Sequence, residues 1–198
     1  MNMSVKVQEL TKIYGTQKAI DRISFEIPDG AIVGLLGPNG AGKSTTMKIL
    51  TGFIPQSSGM AWVHGNDVVT HSLEVRRMTG YLPESNPLYL DMYVREYLHY
   101  VAGFYQINKP AARVDQMIEL TGLGIEQHKK IGQLSKGYRQ RVGLAQAMIH
   151  DPRVLILDEP TSGLDPNQLV DIRALIKEIG KSKTIILSTH IMQEVEAM

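Results

Sequence analysis

Two apolar rhythms divide the chain. Val5, Val7 and Leu10, and then Ile23, Phe25 and Ile27, are spaced as on strands with one buried face. Pro28-Asp29-Gly30 is a turn signal. The continuous apolar run AIVGLLG that follows predicts a strand buried on both faces. A helix is expected from Gly42 to about Thr51, with short strands at Ala61–Val63 and Gly80–Leu82. From about Ser85 to His150 the spacing turns helical, at roughly 93–105, 111–121 and 136–149; in the last, Val142, Ala145 and Ile149 recur at three- and four-residue steps. Val154–Leu157 and Thr184–Leu187 return to buried strands. Between them Asp165-Pro166 opens a helix: Asp caps, Pro suits the first helical position, and Gln168 stands where a capping box needs it. Leu169, Ile172, Leu175, Ile176 and Ile179 form its apolar face. The outline is an α/β core interrupted by a helical lobe, without internal repeats or low-complexity linkers.

Composition narrows the function. The 198 residues carry 21 Lys and Arg against 20 Asp and Glu, a net charge of +1, which argues against a nucleic-acid binder held by a basic surface. Cysteine is absent, so disulfides, thiolate metal sites and a cysteine nucleophile are excluded for this chain. The opening MNMSVKVQEL does not read as a signal peptide. No apolar run approaches the ~18 residues of a membrane helix, so work at a membrane requires another chain to span it.

The strongest chemical signal is Gly37-Pro38-Asn39-Gly40-Ala41-Gly42-Lys43-Ser44-Thr45. It fits G-x-x-x-x-G-K-[ST] between an expected strand and an expected helix, the context of a phosphate-binding loop. Glycines let the backbone curl so that its N–H groups face a polyphosphate, and the helix N-terminus adds positive potential. Lys43 is placed for the β- and γ-phosphates and Ser44 for Mg²⁺. This loop alone fits kinases, GTPases and ATPases equally. A second signal is the apolar strand Val154–Leu157 ending in Asp158-Glu159-Pro160. Asp158 suits Mg²⁺ and Glu159 suits a general base facing the attacking water.

Together with three further segments, these motifs resemble the ATP-binding cassette (ABC) ATPase family over essentially the whole chain. The segments are Leu134-Ser135-Lys136-Gly137-Tyr138-Arg139-Gln140-Arg141, similar to the family signature; Ser162-Gly163-Leu164-Asp165, similar to the D-loop; and Ser188-Thr189-His190, similar to the switch-histidine segment. The resemblance implies a RecA-like P-loop NTPase core with an antiparallel β subdomain and an inserted α-helical subdomain. It places the core at 1–84 and 151–198 and the helical subdomain at 85–150 of a single nucleotide-binding domain. It implies ATP and Mg²⁺ as ligands and a head-to-tail pair of cassettes. Ser135 and Gly137 of one protomer then contact the ATP held by the other's loop, and His190 senses the γ-phosphate. Tyr14, 23 residues before Gly37, looks like the aromatic that stacks on adenine. Asp165 combines a capping role with one at the cassette interface.

Two positions depart from the family pattern. Glu84, in Gly80-Tyr81-Leu82-Pro83-Glu84, stands where the family has Gln, replacing a neutral amide with an anionic acceptor that lacks a donor; it remains a candidate metal or water contact. The signature reads LSKGY, so Lys136 adds a cation where the family has Gly. These forms resemble an exporter branch that includes multidrug, polysaccharide and gliding-motility ATPases. The expectation is an ATP-hydrolysing transporter subunit, cytoplasmic and peripheral on the inner membrane face. It would dock a separate transmembrane permease through the stretch Pro87–Tyr105, rich in Tyr89, Tyr93, Tyr97, Tyr100, Phe104 and Tyr105. The competing view of those aromatics is lobe core. A non-transport relative acting on DNA or ribosomes is the alternative function, and a small-molecule kinase would leave LSKGY and His190 without a role. The chain ends at Met198, in a helix expected after His190, where family members continue; the resemblance implies a C-terminally incomplete domain.

Overall fold

The computed structural model describes residues 3–193. Its strands are β1 (Met3–Tyr14), β2 (Gln17–Pro28), β3 (Ile32–Leu36), β4 (Ser58–Val63), β5 (Asn66–Asp67), β6 (Thr79–Leu82), β7 (Val154–Leu157) and β8 (Thr184–Thr189). Its helices are α1 (Lys43–Leu50), α2 (Ser72–Met78), α3 (Val94–Phe104), α4 (Pro110–Leu120), α5 (Lys136–Met148) and α6 (Pro166–Gly180). One sheet runs β2-β1-β4-β5 and is antiparallel; the other runs β3-β8-β7-β6 and is parallel.

The apolar run of β7 has a simple cause. Its side chains alternate between two cores. Leu155 and Leu157 pack with α3, α4, α5 and α6, whereas Val154 and Ile156 pack with α1, α2 and the antiparallel sheet. Both faces are covered, so every position is apolar. β8 divides likewise: Ile185 and Leu187 go to the first core and Ile186 to the second. Each such side chain contributes roughly 1.5–3 kcal/mol of burial.

β3 differs from its expectation. Ile32–Leu35 are only half-buried and Leu36 is exposed, because β3 is the edge of the parallel sheet, with β8 on one side alone among the described residues. β5 and α2 had no counterpart in the apolar pattern. Strand β5 has two residues, and α2 buries only Val75 and has no side-chain cap, so neither carries a periodic stripe. The helix expected after His190 lies mostly outside the described residues. Among those described, no helix is long and apolar enough to cross a membrane.

The parallel register sets up the site. Leu82 pairs with Leu157, Leu157 with Leu187, and Leu36 with Thr189. The strands therefore end at one level. The segments that follow them, starting at Gly37, Pro83, Asp158 and His190, emerge at one edge of the sheet, where ligands of open α/β sheets bind.

Candidate nucleotide site

The loop after β3 ends at Gly42, the N-cap of α1, which has φ +87°. A β-carbon there would be strained and would also overlap the carbonyl oxygen of Ala19 on β2. Glycine thus serves both the turn and the close approach of the antiparallel sheet. The loop residues Asn39, Gly40, Ala41, Gly42, Lys43, Ser44 and Thr45 line a cleft of about 390 Å³, together with Gln17, Ala19, Glu84 and Glu159. Gly37 is tied to the next strand by its N–H, which donates to the Thr189 carbonyl at 3.3 Å.

Lys43 folds back into its own loop. Its Nζ donates to the carbonyls of Gly37 (2.6 Å) and Pro38 (3.2 Å) and stands 3.6 Å from Glu159 Oε1. Ser44 Oγ donates to Asp158 Oδ1 at 3.0 Å. Asp158 is 2% exposed, and its Oδ1 also accepts from Ser188 Oγ at 2.6 Å. The same Ser188 Oγ accepts the backbone N–H of Glu159 at 2.8 Å. Glu159 sits at φ +49°, an uncommon conformation for a side chain of this kind. Its Oε2 lies 3.0 Å from His190 Nδ1, whereas its buried Oε1 accepts no hydrogen bond among the described residues. Burial pushes the Tyr81 phenol well up, helped by the carboxylates of Asp158 and Glu84.

The structure brings together Lys43, Ser44, Glu84, Asp158, Glu159 and His190, although they span 147 positions of sequence. Tyr14 stands apart from the cleft lining. It is 51% exposed at the tip of the β1–β2 hairpin, opposite Gln17, with Lys12 Nζ 5.1 Å from its ring centre. Ser135 caps α5: its Oγ accepts the N–H of Tyr138 at 3.3 Å, leaving its own O–H free to donate outward. Gly137 is buried because α6 leans on it; a β-carbon would overlap the side chain of Gln168. Asp165 caps α6 by accepting from the N–H of Gln168 at 2.9 Å. The side chain of Gln168 rests on α5, and only this half of the capping box is seen.

Ser188 was not legible as an anchor. Its one signal is a hydroxyl at the end of an otherwise buried apolar strand. Gln17 and Ala19 join the cleft only because the hairpin folds over the loop.

For a cation, the fit is that of a shared site. Among the described residues no cluster of three His, Asp or Glu side chains could hold a metal. The Ser44 hydroxyl and the buried Asp158 carboxylate are already in contact beside the phosphate loop. Two oxygen donors suit Mg²⁺ that completes its shell with water and substrate phosphates.

Comparison with known proteins places the whole chain in a family. The family model described as ABC transporter matches residues 20–162. The bacitracin transport ATP-binding protein of Bacillus licheniformis is 39% identical over 200 residues, covering 100% of this chain and 65% of that protein. An uncharacterized ABC transporter ATP-binding protein of Methanocaldococcus jannaschii is 39% identical, covering 100% and 72%. Nod factor export ATP-binding protein I of Burkholderia pseudomallei is 37% identical, covering 98% and 65%. The chain thus spans about two thirds of the length of these relatives, slightly less for the first and third. Among solved structures, cbiO1 of Clostridium perfringens, part of an ABC transporter complex, superimposes with a TM-score of 0.88 at 30% identity, covering 98% of this chain and 81% of that one. The fold also matches a dimeric ATP-binding cassette solved with ADP and phosphate, with a TM-score of 0.87 at 24% identity, covering 98% and 90%. The matched family model and the relatives' identity establish that this chain belongs to the ABC transporter family.

Proposed function

We propose that the chain binds and hydrolyses ATP and that this powers export through a separate membrane subunit. The observation that carries this reading is the convergence of Lys43, Ser44, Asp158, Glu159 and His190 on one cleft at the ends of four parallel strands. The N–H groups of Gly37–Thr45 cradle the phosphates, and Lys43 exchanges its loop carbonyls for phosphate oxygens. Ser44 and Asp158, with Glu84 on the cleft wall, would hold Mg²⁺, which when bound would neutralise phosphate charge. Glu159 Oε1, free of hydrogen bonds, takes the proton of a water attacking the γ-phosphorus, while the bond to the ADP oxygen breaks. His190 holds Oε2 and orients that carboxylate. Tyr14 stacks on adenine from the hairpin tip.

The same reading pairs two cassettes head to tail, with the Ser135 hydroxyl and Gly137 N–H turned to the partner's ATP. It divides the chain into a core at 1–84 and 151–198 and a helical lobe at 85–150, supported by the position of α3, α4 and α5 between β6 and β7. The permease docks on the exposed aromatics of the lobe. Tyr89, Tyr100 and Phe104 touch in sequence, tilted and then edge to face, with ring centres 5.7 and 4.9 Å apart, and all three are exposed. Tyr97 is instead lobe core, its hydroxyl donating to Gln146 at 2.6 Å. The chain then works in the cytoplasm, peripheral on the inner membrane face. The transport and export functions in the relatives' names favour this over action on nucleic acid. The test is Glu159→Gln: MgATP binding by calorimetry persists while phosphate release stops. Wild-type turnover in that variant refutes Glu159 as the base.

A further inference from the structure

A second cleft, of about 440 Å³, lies between the segment that follows β6 and the first two turns of α5. Residues of 84–90 form one wall, and Lys136, Arg139 and Gln140 form the other. Those three stand at positions i, i+3 and i+4 of the helix and so share one face. Asn86 ties the walls together. Its Nδ2 donates to the Arg139 carbonyl at 2.9 Å, and its side chain fills the space beside Gly143, where a β-carbon would overlap it. Ser135 and Gly137, which the pairing of cassettes turns to a partner's ATP, are not in this lining.

The helical wall carries donors that have nothing to bind. Arg139 Nε is buried and lacks an acceptor. Gln140 is only 7% exposed, and its side chain makes no hydrogen bond among the described residues. Buried polar groups are nearly always paired in folded proteins, so two orphans on one cleft point to a ligand that supplies acceptors. The lining holds two cations, Lys136 and Arg139, against one carboxylate, Glu84, which favours an anion. The Lys136 ammonium lies over Gly163, so it adds charge at the rim rather than a contact. Glu84 also lines the nucleotide cleft, so the two clefts adjoin at that side chain. Hydrolysis in the first cleft frees inorganic phosphate, a small anion with acceptor oxygens on every side, next to the second. We propose that the second cleft is a product site for inorganic phosphate, in which the Arg139 guanidinium and the Gln140 amide donate to its oxygens. This inference rests on the nucleotide reading of the first cleft.

The test is a titration of the whole chain with inorganic phosphate, read by calorimetry in magnesium-free buffer at constant ionic strength. It is made in a Lys43→Ala background, which removes the cation of the phosphate loop, and binding persists there. Adding Arg139→Gln weakens that binding about tenfold or more, because a charged donor is lost. Adding Glu84→Gln instead tightens it about threefold, because the one carboxylate of the lining no longer repels the anion. In the chain with Lys43 intact, Arg139→Gln also blunts the inhibition of ATP turnover by added phosphate. Phosphate binding that vanishes with Lys43→Ala, or that survives Arg139→Gln unchanged, overturns the proposal. Should Arg139→Gln not fold, Glu84→Gln decides, and an affinity that stays the same or falls overturns it. A wild-type chain that neither binds nor hydrolyses MgATP, while this cleft takes up phosphate, overturns the nucleotide reading and with it the assignment of that phosphate as product.

Discussion

Removing the hydroxyl of Ser188 tests how the two acids at the end of β7 are held. Ser188→Ala deletes two hydrogen bonds at once, the donor to Asp158 Oδ1 (2.6 Å) and the acceptor for the Glu159 N–H (2.8 Å). The residue is fully buried, so water does not readily replace either. Losing the bond to a charged acceptor costs about 1.5–3 kcal/mol, and leaving a buried amide unpaired about 1–3 kcal/mol. Partial relaxation lowers the sum, and a loss of about 2–4 kcal/mol is expected. For a chain of this size that lowers the melting temperature by roughly 5–15 °C. Glu159, held at φ +49° partly by this bond, also relaxes away from its position, so ATP turnover falls further than ATP affinity. Thermal unfolding and phosphate release, measured on the same preparations, read both effects. A variant that melts with the wild type and turns over ATP normally refutes the view that Ser188 positions the acids.

Further outcomes follow from other contacts. Lys43→Ala removes the cation of the phosphate loop, so ATP affinity collapses and turnover drops by ~10²–10³, seen by titration and phosphate release. His150 lies stacked on Tyr105 with ring centres 4.0 Å apart, and burial pushes it down to about 4 from its usual 6.5. Between those values the unfolded chain binds a proton there that the folded chain does not, so stability falls as pH falls, by up to about 1.4 kcal/mol per pH unit. Chemical unfolding of His150→Gln at pH 7 and pH 5 shows a smaller pH effect than wild type; equal effects discard His150 as the source. Replacing Tyr89 and Tyr93 together by Ala leaves ATP turnover intact and weakens association with the membrane subunit in a pull-down, and unchanged association removes these aromatics from the docking surface.

Much of this architecture was legible because the relevant signals are local. The continuous apolar β7 and β8 announce strands covered on both faces, and Asp165-Pro166 marks the start of α6 where the structure has it. The phosphate loop is readable because its glycines and Lys43 sit within nine residues. What stayed hidden depends on contacts between distant segments. Whether β3 is central or at an edge is a matter of its neighbours, and its own apolar run looks the same in both cases. Ser188 gains its role from meeting Asp158 and the amide of Glu159, 30 and 29 positions away. The burial of Gly137 reflects Gln168 leaning across from α6, and the aromatic stretch divides into buried Tyr97 and exposed Tyr89 only once α3 has packed. α2 escaped notice because one buried valine in seven residues leaves no stripe to read.

If the strand-end cleft binds ATP productively, two such clefts close on each other. The molar mass of Glu159→Gln in solution, measured by light scattering with and without MgATP, addresses it most directly. With the base removed, bound ATP persists, and the mass shifts from one protomer to two on adding MgATP and returns to one on its removal. A mass that stays at one protomer while titration shows ATP bound contradicts the pairing of cassettes through Ser135 and Gly137.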